Sequence, residues 1–385
     1  MAEPQAAPVH SPVLMLGGGL MGLAIAHQLA CRGRSVTVLS RDRHEAAGFA
    51  AAGMLAPHAE GLEGALLALG QESLRRIPDW VGQVEADSGL ACGLRNSGVV
   101  VPFRSSVERE AFPTARWGEG LDRAALERQV PGIGAGFRCG LLFAQDGQID
   151  NRRRLMRALE RACIQRGVRL LEGVEVQGLL RGGVAGELQG VTLTTAQGKR
   201  QILAAGQAVL CGGAWSGLLL SGLPVEPLKG QMLSLQAPRE ALPRVVFGPG
   251  TYLVPRQDGL VVVGATIERC GFHRELSPAG LRQLQRGIRE LLPAASHWPL
   301  MERWSGFRPC TPDAGPLLGA SGIPGLFLAT GHHRNGVLLA AITASISTEL
   351  ICGTLDPVCA GLLQAFRWDR FRDRADIGLS AMVCR

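Results

Sequence analysis

Gly17, Gly19 and Gly22 form a strict G-x-G-x-x-G between the apolar run Val13-Leu14-Met15-Leu16 and the helix-like run Leu23 to Ala30. Glycines at this spacing allow a tight turn, close approach of backbone to a pyrophosphate and close packing of helix on strand. The helix N-terminus then presents free N–H groups to the phosphates. The ligand class is a dinucleotide, and the turn alone leaves NAD and FAD equally open. Far away in sequence, Arg308 sits in a Gly306-Phe307-Arg308-Pro309 turn. A guanidinium is a rigid fork that matches a carboxylate, and the competing assignment is an interdomain ion pair. Tyr252 is the only tyrosine in 385 residues. Two imidazoles and a guanidinium follow one another in Gly331-His332-His333-Arg334-Asn335-Gly336.

The elements that must position these residues can be read from periodicity and turn chemistry. Residues 13–39 read as strand, glycine turn, helix, strand: one βαβ unit. Residues 50–56 (Ala50-Ala51-Ala52-Gly53-Met54-Leu55-Ala56) are small and apolar, so that backbone can lie flat against something bulky. Helical periodicity covers about 60–87, and short β-like pieces such as Gly98-Val99-Val100-Val101-Pro102 fill 88–148. A helix from Arg153 to Arg166 is expected to stop at Gly167. Strands are expected at 168–171, at 174–180, at Ala208-Val209-Leu210-Cys211 and through most of 225–267. A helix at 278–291 follows, and the strand Gly325 to Thr330 leads through the His-His-Arg loop into an apolar helix, Val337 to Ile351. The nucleotide-binding pieces lie at both ends and in the middle, so the domains interleave in sequence.

Composition narrows the class. The chain is 46% hydrophobic and 19% charged, which describes a globular protein rather than a disordered one. Its 10 cysteines make no C-x-x-C pair, which points to a reducing, cytoplasmic compartment and to no metal site. The net charge of +7 clusters only at Arg152-Arg153-Arg154, so no nucleic-acid partner is expected. No membrane span is expected either, because the apolar run at 13–30 is broken by glycines and His27. Residues 1–11 read as a flexible polar tail. They carry no cationic region before the apolar run, so no secretory leader is expected.

Four segments together resemble the D-amino-acid-oxidase-like flavoproteins, and among them most closely the thiamine-biosynthetic glycine oxidases. They are the turn Gly17 to Gly22; Ala50 to Leu55 with Pro57-His58-Ala59-Glu60; Gly213-Ala214-Trp215-Ser216 with Pro227-Leu228-Lys229-Gly230-Gln231; and Trp304 to Pro309 joined to Ala329 to Leu339. The resemblance runs from residue 13 to about 372. It implies an α/β fold: a Rossmann-like FAD-binding domain of the glutathione-reductase type 2 with an interleaved antiparallel-sheet substrate domain. The implied FAD-binding domain is discontinuous, over 12–85, 149–222 and 309–385, with the substrate-binding domain at 86–148 and 223–308. Extended, non-covalent FAD would be met by Leu20 and Met21 at the pyrophosphate, by Ser40 and Arg41 at the ribose, and by Val176 at the adenine. Ala52, Gly53 and Met54 would lie along the flavin, Gly213 beside it, and His332, His333, Arg334, Asn335, Gly336, Val337 and Leu338 would close over the ring. Arg308 and Tyr252 would hold the substrate carboxylate, Arg334 would face the substrate, and Ile267 would line its pocket.

The chain departs from the family pattern at several places. Ser40 stands where an acidic residue usually grips the ribose diol, with Asp42 two positions on. Gly250 and Ile267 replace a histidine and a methionine of relatives, which bears on preference among glycine, sarcosine and small D-amino acids. Cys310 abuts Thr311-Pro312-Asp313, whereas flavin-linking cysteines lie several residues before that tripeptide. No general base is evident beyond His332 and His333. The resemblance implies oxidative deamination of glycine or a small amine by hydride transfer to FAD, reoxidation by oxygen to hydrogen peroxide, and an imine for thiamine thiazole synthesis. A thiazole synthase partner and a homo-oligomer go with it. The alternatives are a same-fold D-amino-acid or sarcosine dehydrogenase with another acceptor, and a flavin-binding module of a tRNA-modifying protein.

Overall fold

A computed structural model describes residues 12–374, and the tail expected at 1–11 lies outside them. Two large sheets carry the molecule. The first runs in the order Leu317–Ala320, Leu326–Thr330, Ala208–Leu210, Val13–Leu16, Val36–Ser40, Arg169–Glu172. Its inner strands run parallel to one another and are mostly apolar, as strands covered on both faces tend to be. The helix Leu20–Cys31 covers one face and packs on Gly336–Cys352 and Met156–Gln165, with Gly64–Ser88 behind. The opposite face is covered by an antiparallel sheet, Arg200–Ala204, Glu187–Thr195 and Val174–Gly182, through Leu188, Val191 and Leu193.

The second sheet has eight strands: Leu300–Cys310, Glu226–Gln236, Leu260–Gly264, Thr251–Pro255, Val245–Gly248, Val99–Phe103, Cys139–Phe143, Glu119–Leu121. All its pairings are antiparallel except Val245–Gly248 with Val99–Phe103. The expected helix at 278–291 is Pro278–Leu291, with the Ser277 hydroxyl accepting from Gly280 N. Its leucines close one face of this sheet. The helix expected from Arg153 differs at its start: Asn151–Leu155 is a π turn, and α-helix runs only over Met156–Gln165. Asp150 explains the wider turn, because its carbonyl accepts from both Arg154 N and Leu155 N. Arg152, Arg153 and Arg154 each face an acid (Glu302; Asp150 and Asp258; Asp150), so the cluster is not an open basic patch.

Buried polar groups in the helical layer are paired across elements. His27 Nε2 lies 2.7 Å from Asp87 Oδ2, and Arg166 Nε donates to the same carboxylate at 2.9 Å. No single helix among the described residues is long and apolar enough to cross a membrane.

The glycine turn is the tightest junction. A Cβ on Gly22 would stand 1.9 Å from Gly17 O, and one on Gly17 would stand 2.4 Å from Cys211 O. Gly22→Ala is expected to push helix from strand at a cost of about 1–3 kcal/mol. Gly82→Ala, at an exposed helical site with nothing within 4 Å, is expected to raise stability by about 0.5–1 kcal/mol. Denaturant unfolding of the two variants checks both signs.

Candidate active site

One cleft of about 610 Å³ runs from the end of the parallel sheet to the face of the eight-stranded sheet. Two long helices begin at it. Leu20–Cys31 starts from Gly19 and Gly336–Cys352 starts from Asn335, and neither start carries a side-chain cap. Their first amides therefore remain open toward the cleft, and both dipoles put partial positive charge there. Gly17, Gly19, Leu20, Met21, Ser40, Arg41, Val176 and Gly213 line one half of it. Ala52, Gly53, Met54, His332, His333, Gly336 and Val337 line the other half, together with Tyr252, Ile267, Arg308 and Arg334. Gly22, Gly331, Asn335 and Leu338 stand behind the wall. Gly331 makes its turn at φ 75°.

The residues present fit an extended dinucleotide. Gly53 adopts φ 79°, and a Cβ there would stand 2.0 Å from Ile149 O, so the 50–54 segment is pressed flat against its support. Trp304 Nε1 donates to Ala50 O at 2.9 Å from the other sheet. The N–H groups of Ala52 and Gly53 meet no acceptor among the described residues. At the adenosine end, Ser40 is buried against Gly18. Asp42 also lines the cleft, and its Oδ1 accepts from His44 N at 2.9 Å. Arg41 pairs with Glu45 and with Glu175 (3.0 Å) and lies over Trp215 at 5.2 Å.

Arg308 projects from the strand Leu300–Cys310 across Gly230, where a Cβ would fall 2.4 Å from its Nη1. Nη1 donates to Thr266 O at 3.1 Å, and Arg308 makes no ion pair among the described residues. The interdomain-pair assignment is thereby set aside. Behind it, Thr266 Oγ1 accepts from Gln231 N at 2.8 Å, and Gln231 Nε2 reaches Glu268 at 2.6 Å. Buried Lys229 closes this network at 3.0 Å from Glu268. Tyr252 lies over Gly264 beside Arg308. Burial pushes its hydroxyl up to about 12, against the pull of Arg308, so it stays a neutral donor at physiological pH.

The residue that sequence reasoning did not single out is Glu60. It is 8% exposed and lines the cleft, and its Oε2 lies 2.9 Å from Arg334 Nε in an ion pair that lacks hydrogen-bond alignment. Burial raises its pKa above the usual carboxylate range and Asp146 adds to this, whereas Arg334 and Arg308 oppose it. Asp146 is itself held by His58 Nδ1 at 2.6 Å and Ala59 N at 2.7 Å, which fixes the 57–60 turn. Its only sequence signal was a carboxyl at the end of a stretch of small residues. His332 and His333 are pushed down to about 3, foremost by burial. They are therefore neutral and weak as bases. Ile267 is 60% exposed at the rim. Two groups of metal-ligand type converge elsewhere, but Arg166 holds the carboxylate of His27–Cys31–Asp87, and backbone amides hold that of Glu349–Asp356–Cys359.

Comparison with known proteins bears on the family and the fold. The model of the FAD dependent oxidoreductase family (DAO) matches residues 13–350. The bifunctional protein ThiO/ThiG of Nostoc sp. (strain PCC 7120) is 40% identical over 94% of this chain and 55% of its own length. The glycine oxidase of Pseudomonas aeruginosa is 32% identical, over 89% of this chain and 94% of its own. The crystal structure of glycine oxidase from Geobacillus kaustophilus superposes with a TM-score of 0.83 at 28% identity, over 90% of this chain and 96% of that one. The chain thus spans about half the length of the bifunctional curated relatives it matches. On the family match and the geometry of the cleft, this chain belongs to the FAD dependent oxidoreductase (DAO) family.

Proposed function

We propose that this chain oxidises glycine or another small amino acid with FAD and oxygen. Glycine, oxygen and water would give glyoxylate, ammonia and hydrogen peroxide. The observation that carries this reading is Arg308, a cleft-facing guanidinium with no ion pair, beside the neutral hydroxyl of Tyr252. A carboxylate is the natural occupant of that corner. FAD, when bound, supplies the hydride acceptor. Arg308 and Tyr252 fix the substrate carboxylate, and the reacting carbon must be held about 3–3.5 Å from the acceptor. The strand pairing that sets Arg308 opposite Leu228 keeps that clamp on a rigid element.

Glu60 gives the other end of the substrate a counter-charge. An α-ammonium near it is favoured when the carboxyl is ionised, and the amine must shed a proton before hydride can leave. With His332 and His333 neutral, Glu60, ion-paired with Arg334, is the titrating group at the substrate end of the cleft. The open corner at Gly250 and the rim position of Ile267 favour small substrates of varied shape over glycine alone. The names of the bifunctional relatives support a thiazole synthase as the consumer of the imine. We also propose the domain division given by the sequence, since the strands of each large sheet come from the corresponding stretches.

Purified protein should be yellow and should form peroxide in air with glycine, sarcosine or D-alanine. A colourless protein, or one inert to all three, rules the reading out. Arg308→Ala is expected to keep the flavin absorbance and raise KM by roughly tenfold to a hundredfold, the worth of about 1.5–3 kcal/mol for a charged hydrogen bond. Unchanged kinetics would mean the clamp lies elsewhere.

Glu60→Gln tests the counter-charge through pH. Because burial raises the folded pKa, wild-type kcat/KM should climb as pH rises through a value above the usual carboxylate range. The variant should lose that limb and fall about tenfold at neutral pH, or ~1.4 kcal/mol. An acid limb that persists in the variant assigns it to another group.

A further inference from the structure

Arg256 lines no part of the cleft, yet it is among the most buried charged side chains, at 7% exposed. It leaves the turn between the strands Thr251–Pro255 and Leu260–Gly264 and crosses from the large sheet to the 50–54 segment. Its guanidinium donates to Gln148 Oε1 at 2.9 Å, to Ile149 O at 3.3 Å and to Ala52 O. Asp150 Oδ1 lies 3.7 Å from its Nε. Burial lowers its pKa to about 10, so it remains a cation at neutral pH.

A buried guanidinium is a costly way to join two sheets, because desolvation alone costs several kcal/mol and apolar packing would do the same work. Its placement has a more specific consequence. A trans peptide points its N–H opposite to its carbonyl. With Ala52 O turned to Arg256, the N–H of Gly53 is turned the other way, toward the cleft that Ala52 and Gly53 line. That N–H has no acceptor among the described residues. Ile149 N, donating to Gly53 O at 2.8 Å, holds the next peptide, so the pair cannot rotate freely. Successive hydrogen bonds polarise one another in a low-dielectric setting, so a cation on the carbonyl strengthens the N–H as a donor.

We propose that Arg256 is a positioning residue for the cofactor: it orients and polarises the Ala52–Gly53 peptide so that Gly53 N–H donates to the flavin ring. Donors to the ring are one means by which a protein tunes flavin electronics. This assignment rests on FAD filling the cleft, but on no particular substrate.

The test compares wild type, Arg256→Met, Arg256→Lys and Arg153→Met as holoenzymes, by spectroelectrochemistry and anaerobic single-turnover reduction by the best substrate of the panel. Arg256→Met should lower the midpoint potential by about 30 mV, a tenfold loss in the reduced-to-oxidised ratio of a two-electron couple. Flavin reduction should slow by a similar factor, with KM within about twofold of wild type. Arg256→Lys keeps the charge but not the fork, and it should recover part of the shift. It also serves as the deciding variant if Arg256→Met does not fold. Arg153→Met removes a cation from the same acidic cluster without touching the cleft wall, and should leave the potential alone. A wild-type potential in the folded Arg256 variants would overturn the proposal. So would an equal shift in Arg153→Met, which would mark a general charge effect. A colourless wild-type protein would instead refute the cofactor reading.

Discussion

Two uncapped helix N-termini open on the same cleft, and much of the structure is the consequence of keeping them there. Each leaves amides without intrahelical partners, which are costly to bury unless a ligand or water meets them. Bringing both to one cavity requires that each helix follow its strand closely. The first does so through Gly17 and Gly22, where no Cβ fits. The second follows the strand Leu326–Thr330 through a loop pinned by His333 N to Pro309 O at 2.8 Å. His333 accepts a left-handed φ of 48° to make that bond. The same pin holds the loop one residue from Arg308, so the start of the second helix and the proposed substrate clamp are positioned by one contact.

The charges at the substrate end show the same economy. Arg308, Arg334, Glu60 and Tyr252 all face the cleft, and only Glu60 with Arg334 is an ion pair. Two guanidiniums against one carboxylate leave a net positive corner, which an incoming carboxylate neutralises. In the network behind Arg308, Lys229, Gln231 and Thr266 already occupy the oxygens of Glu268, so that acid is partnered without Arg308.

Sequence reading reached the parts whose signal is local. The glycine turn, the small-residue run at 50–56, and the loop at 331–336 are each set by backbone geometry within a few residues, and all meet at the cleft. Arg308 and Tyr252 were legible because each sits in an unusual neighbourhood or is unique in the chain. Glu60 and Arg256 were not legible, because a carboxyl or a guanidinium in a turn ordinarily points to water. Only partners 204 and 274 positions away in sequence, Ala52 for Arg256 and Arg334 for Glu60, make them interior groups. The parallel pairing of Val245–Gly248 with Val99–Phe103 is long-range in the same way: it depends on packing between distant segments, not on any local turn.

The adenosine end shows what the missing ribose acid changes. Ser40 can offer one hydroxyl, and a longer side chain there would press on Gly18, whose own Cβ would already stand 2.6 Å from that of Ser40. Asp42 lines the cleft but has its Oδ1 engaged by the His44 amide, which leaves Oδ2 as its acceptor. Arg41 is tied to Glu45 and Glu175, so its cation is largely neutralised before any ligand arrives. On the proposed assignment, grip on the cofactor concentrates at the pyrophosphate turn and along 52–54. There, amides without an acceptor among the described residues line the cleft, and Arg256 and Trp304 brace the backbone. A cofactor held in that way would place the burden of orientation on the peptide that Arg256 holds.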